Sequence, residues 1–104
     1  MKRQTVMAAK SPSDYAENLC EALAGLNDAV SVRAFLEDIA SPGEIRAMSQ
    51  RLEVARLLNE SRTYPEIMRE TGAGTATISR VKRCLENGAG GYMKVLHGGK
   101  NPSA

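Results

Sequence analysis

Apolar side chains recur along this chain at intervals of three and four residues, the spacing that gathers them on one face of an α-helix. The first run, Ala16, Leu19, Leu23 and Leu26, follows Ser11-Pro12-Ser13, where Ser13 stands at a capping position and Asp14 suits the positive end of the helix dipole. A break at Asn27-Asp28 leads into a second stripe, Val32, Phe35, Leu36 and Ile39. Ser41-Pro42-Gly43-Glu44 then reads as the start of a long helix. Serine can accept from the first-turn amides, Glu44 can reach back, and proline fits the first helical position. This helix is expected to run to about Asn59 as a central beam, packing Ile45, Met48, Leu52, Ala55, Leu57 and Leu58 on more than one neighbour.

Thr63-Tyr64-Pro65-Glu66 repeats the start signal: Thr63 caps, Glu66 completes the box and Ile67 faces inward. That helix is short, because Gly72-Ala73-Gly74 stops it with residues that tolerate positive φ. A further helix begins near Thr75 and ends at Asn87-Gly88, a C-terminal signal. By length and punctuation the span is a helix-turn-helix. Beyond Gly90-Gly91, Tyr92 to Leu96 can form one more short helical piece, and no repeat or low-complexity tract interrupts the chain.

Composition narrows this picture to an all-α fold. The chain has no Trp, one Phe and three Tyr, so its core is built from Leu, Ile, Val, Met and Ala, which suits closely packed helices. With 104 residues it has room for one modest domain, and a large core would have to be shared with a partner chain. The expected organisation is a flexible segment at 1–10, a helical domain at 11–97 with the helix-turn-helix at 63–87, and a flexible tail at 98–104. Cys20 and Cys84 fit neither a disulfide framework nor zinc-site spacing and read as reduced thiols of a cytoplasmic protein. No stretch approaches the roughly 20 apolar residues of a membrane span, and Met1–Lys10 lacks the apolar run of a signal peptide.

A net charge of +2 is too small to argue for nucleic acid, so the distribution of charge must decide. Projecting Thr75–Leu85 at about 100° per residue puts Ile78, Val81 and Leu85 on one face and Ala76, Ser79, Arg80 and Arg83 on the other. Small side chains near the helix start allow close approach to base edges, while arginine can bind phosphate or guanine. Lys82 and the amides near Thr75 would add flanking phosphate contacts. An ordinary helical hairpin with a solvated basic face is the plain alternative.

Three blocks make the sequence recognisable. Gln50-Arg51-Leu52-Glu53-Val54-Ala55-Arg56, Glu70-Thr71-Gly72-Ala73 and Thr75-Ala76-Thr77-Ile78-Ser79-Arg80-Val81-Lys82-Arg83-Cys84-Leu85 closely resemble the YerC/YecD group of Trp-repressor-related bacterial proteins, over roughly Phe35 to Tyr92. The resemblance implies a Trp-repressor-like fold, a DNA-binding role in transcription, and a homodimer in which the N-terminal helices of two chains interlock. It matches Thr75, Ala76, Thr77 and Ser79 to the first turns of the recognition helix. Arg51 and Arg80 match two arginines that flank the corepressor in tryptophan-sensing relatives, and Ser41 matches a threonine that helps hold it. Val81, however, stands where those relatives have a glycine beside the indole, Cys84 replaces a serine, and Asp38 falls on an apolar position. Tryptophan is therefore not expected as a corepressor, no other cofactor is implied, and any small-molecule effector is unidentified. Tyr64, Pro65 and Met68 also differ from the relatives, so no operator sequence carries over.

Single residues have plainer readings. Arg51, on a helix carrying Glu53 and Arg56, is expected to make a structural ion pair more than to line a pocket. Cys84 is expected to be a half-buried small residue more than a redox switch. His97 has no partner at metal or catalytic spacing and reads as a surface residue, and the methionines read as core filler. No nucleophile and base pairing, phosphate loop or paired carboxylates stand out, so no enzyme is expected. The partner expected is double-stranded DNA, bound by a repressor in the bacterial cytoplasm and nucleoid. Two alternatives remain open: a helical module docking an acidic partner from the transcription machinery, and a repressor gated by a ligand other than tryptophan.

Overall fold

The structure, a computed structural model, describes residues 8–98. Its elements are six α-helices: α1 (Pro12–Ala24), α2 (Ala29–Ile39), α3 (Pro42–Asn59), α4 (Tyr64–Thr71), α5 (Thr75–Asn87) and α6 (Gly91–Leu96), with no strand among the described residues. The expected flexible ends lie outside the described residues at 1–7 and 99–104. The chain divides into two compact units between Pro42 and Gly43.

The N-terminal unit holds α1 and α2. Ser11 caps α1, its hydroxyl accepting from the Asp14 amide at 3.3 Å. This corrects the assignment to Ser13. Pro12 has no amide hydrogen and a φ preset for helix, so the helix starts at once and the cap falls one residue before the proline. Ser13 lies within the first turn, its hydroxyl 3.1 Å from that of Ser11. Asp28 caps α2, accepting from the Ser31 amide at 2.7 Å, and this hydrogen bond holds its carboxyl below the usual range. Neither helix buries a single residue, and Tyr15, Leu19, Val30 and Ile39 are exposed.

The C-terminal unit carries the core. Val54, Ala55 and Leu57 of α3, Ile67 of α4, Ala73 of the turn, and Ile78 and Val81 of α5 form one buried cluster, bordered by Leu58, Tyr64, Leu85, Tyr92 and Leu96. Of the stripe expected on α3, only Ala55 and Leu57 are buried. Val54 joins them, whereas Met48 and Leu52 are 41% and 42% exposed. The face of α3 turned to the core is therefore centred near Val54, and Met48 and Leu52 lie on the Ala55 flank of the helix, at the margin of that face.

Both ends of α4 are fixed locally. Thr63 and Glu66 form the expected capping box, and Gly72 closes the helix at φ +74°, its amide donating to the Met68 carbonyl at 2.9 Å. Gly88 ends α5 for another reason. Its φ is negative, but a Cβ there would fall 2.4 Å from the Cys84 carbonyl oxygen that its own amide approaches at 2.9 Å.

Candidate nucleic-acid interface

Helix α5 divides as its sequence pattern requires. Ile78 and Val81 are buried and Leu85 is half-buried against the core, while Thr75, Ala76, Ser79, Arg80, Lys82 and Arg83 are exposed. Thr77 stands apart, half-buried at the flank of the core face. Its hydroxyl is thus less open to an outside partner than its neighbours', and the resemblance that grouped all four first-turn residues does not separate it from them. The N-cap, Gly74, has no side chain to cover the first-turn amides. Those amides lie at the positive end of the helix dipole.

The cations differ sharply in what surrounds them. Arg33 pairs with Glu37 at 2.8 Å, and Arg56 with Glu53 and Glu60 at 2.6 Å each. Arg62 reaches Glu66 at 2.8 Å and also Glu70. Arg80, Lys82 and Arg83 have no ion pair among the described residues; nor do Arg46, Arg51 and Arg69. Arg33, Arg56 and Arg62 are thus answered within the protein, and among the described residues none of the three cations of α5 is. A face of small side chains and unanswered cations can receive an anion at short range and a flat polar surface at its centre.

Arg51 departs from the expected ion pair. Glu53 is taken by Arg56, and Arg51 remains half-buried on α3. Arg80 is exposed on α5 of the same unit, and Ser41 belongs to the N-terminal unit. Cys84 is exposed rather than half-buried. It lines an apolar groove of about 510 Å³ together with Leu52, Tyr92, Val95 and the glycine-rich stretch at 88–91. His97 is exposed at the end of α6. No group of three or more His, Cys, Asp or Glu could hold a metal among the described residues.

Sequence reasoning foresaw the Thr63–Glu66 box that starts the helix-turn-helix and passed over the part of Arg62 in it. The Thr63 hydroxyl donates to Glu66 Oε1 at 2.8 Å, Arg62 Nε donates to Oε2 at 2.8 Å, and the Thr63 amide approaches Oε1 at 3.3 Å. The hydroxyl contact and then the guanidinium pull the Glu66 carboxyl down to about 2. The sign follows from linkage. A depressed folded value means the unfolded chain takes up the proton first, so the contribution to stability is complete above about 4.5 and disappears as pH falls through about 2. In a carbon-detected NMR titration, Glu66 is expected to stay ionised at pH 3.5, where a glutamate in a free peptide is mostly protonated. A midpoint near 4.5 would mean the box is not formed in solution.

Comparison with known proteins follows this geometry closely. The model of the Trp repressor protein family matches residues 15–99, beginning well ahead of the Phe35–Tyr92 block. The uncharacterized protein YerC of Bacillus subtilis (strain 168) is 46% identical over 80 residues, 77% of each chain. A solved TrpR-like protein from Eubacterium eligens superposes with a TM-score of 0.78 at 44% identity, covering 83% of this chain and 89% of that one. A Staphylococcus aureus structure gives a TM-score of 0.76 at 38% identity, over 80% and 83% of the two chains.

Proposed function

The chain belongs to the Trp repressor family, and from that premise we propose that it is a sequence-specific DNA-binding regulator of transcription, acting as a repressor, that inserts α5 into the major groove. The observation that carries this reading is the outer face of α5. Ala76 and Ser79 leave room for base edges, Arg80, Lys82 and Arg83 are exposed and unpaired among the described residues, and Thr75 with the first-turn amides can take a phosphate. Thr77 contributes at the margin.

The working form is a homodimer. Supporting this, α1 and α2 bury no residue within the protomer although each carries an apolar stripe, and Met48 and Leu52 of α3 are also exposed. Apolar faces left open on a small chain are the usual mark of an interface. Two copies of α5 held about one turn of DNA (~34 Å) apart would enter successive major grooves of a pseudo-palindromic site.

Tryptophan is not its corepressor in this reading, because the Val81 side chain fills the core at the recognition helix and is 1% exposed. An effector bound near Arg51 and Arg80 would have to be of another kind. The protein is a regulator, not an enzyme, and works in the bacterial cytoplasm on chromosomal DNA. No helix among the described residues is long and apolar enough to cross a membrane.

The test is fluorescence anisotropy of a labelled random-sequence duplex across a salt series. Binding that weakens steeply with salt is expected, with a log–log slope set by the phosphates neutralised. A helical module for acidic protein partners would bind random duplex weakly at every salt concentration, and that outcome would replace the present reading.

A further inference from the structure

The C-terminus of α4 is held from outside the helix-turn-helix. Gln50 of α3 donates its side-chain amide to the Thr71 carbonyl at 3.0 Å, a partly buried hydrogen bond between residues 21 apart in sequence. Thr71 is the last residue of α4, whose terminal carbonyls have no partner in their own helix. The same residue organises the turn: its hydroxyl donates to the Ile67 carbonyl at 2.7 Å and accepts from the Ala73 amide at 3.1 Å. Ala73 is itself 3% exposed, and Gly74 then caps α5. A chain of contacts thus runs from Gln50 through Thr71 and Ala73 to the first turn of α5. An eight-residue helix such as α4 has little stability of its own, so its placement depends on such ties.

The geometry points to Gln50 as a positioning residue that sets the α4–α5 turn on α3, and thereby fixes the start of α5 tightly enough to discriminate between DNA sequences. This rests on the DNA-binding reading above. Hydrogen bonds to base edges demand close geometry, whereas attraction to phosphates tolerates a displaced helix. Loosening the turn therefore affects selected sequence far more than random sequence. The tie is made within the chain, so the head is assembled before any effector arrives.

Two near-isosteric variants test the inference. Gln50→Met keeps the volume and removes the donor. Gln50→Glu sets a carboxylate against the Thr71 carbonyl at neutral pH and regains a donor when protonated. The probes are a duplex selected by the wild-type protein from a random pool, and the unselected pool. At pH 7.5 both variants are expected to bind the selected duplex about tenfold more weakly than wild type, and the pool as well as wild type does. At pH 5, where part of the Glu side chain is protonated, the Glu variant recovers in part relative to wild type and the Met variant does not, a pattern that a general loss of stability cannot produce. The protection of the Gly72 and Ala73 amides against hydrogen exchange, normalised for intrinsic rates, is expected to follow the same pattern without DNA. Variants equal to wild type in both readouts, or equally weakened on both probes with no pH-dependent recovery, would overturn the role given to Gln50. A wild-type protein that binds neither probe would instead remove the DNA reading, and the exchange measurement would still report on the tie.

Discussion

Replacing Arg83 with alanine is expected to weaken binding to every duplex by about a hundredfold at 0.1 M salt and to make the log–log salt slope shallower by about two. Each protomer of a dimer loses one phosphate contact, and each contact contributes about 0.9 to the slope, which at 0.1 M salt is roughly tenfold in affinity. Arg83 is exposed on α5 and has no ion pair among the described residues, so its removal costs the fold little. Affinity should fall while the unfolding midpoint stays where it was. Unchanged affinity and slope would mean that this face does not meet DNA.

On the opposite side of the same helix the outcome reverses. Ile78→Ala removes a fully buried side chain from a core of seven residues and is expected to destabilise the protein by about 2–5 kcal/mol. Against the 5–15 kcal/mol typical of small domains this is a large share, and the midpoint of thermal unfolding should drop by at least about 10 °C. DNA binding would fail with the fold, recovering at low temperature where the variant is still native. A loss below about 1 kcal/mol would mean the core around α5 is not packed as described. Together the two substitutions separate the faces of one helix by their readouts, one moving affinity without stability and the other moving stability first.

The helix-turn-helix was legible because its punctuation is local. Thr63 and Glu66 satisfy each other across one turn, Gly72 supplies the positive φ that ends α4, and the spacing of Ile78, Val81 and Leu85 turns the arginines outward. The family resemblance added the fold, which the comparisons bear out. Less was legible where the outcome depends on neighbours far away in sequence. The broad apolar surface of α3 admits more than one face, and only its neighbours choose Val54 over Met48 and Leu52. Arg56 has a carboxylate on either side, Glu53 and Glu60, and takes the partner that Arg51 was expected to hold. Gln50 gave no signal at all, since a glutamine in mid-helix reads as solvated surface until the end of α4 is brought beside it. Ser11 and Ser13 differ only in their register to Pro12, and both satisfy a loose capping pattern.

The most direct test of the account is the map of backbone amide shifts when unlabelled duplex DNA is titrated into isotopically labelled protein. The prediction is that the largest changes fall on the first turn of α5 and on Ala76, Ser79, Arg80 and Arg83, with the amides of α1 and α2 little affected. Saturating duplex that leaves these α5 resonances in place, or moves only those of α1 and α2, would contradict it.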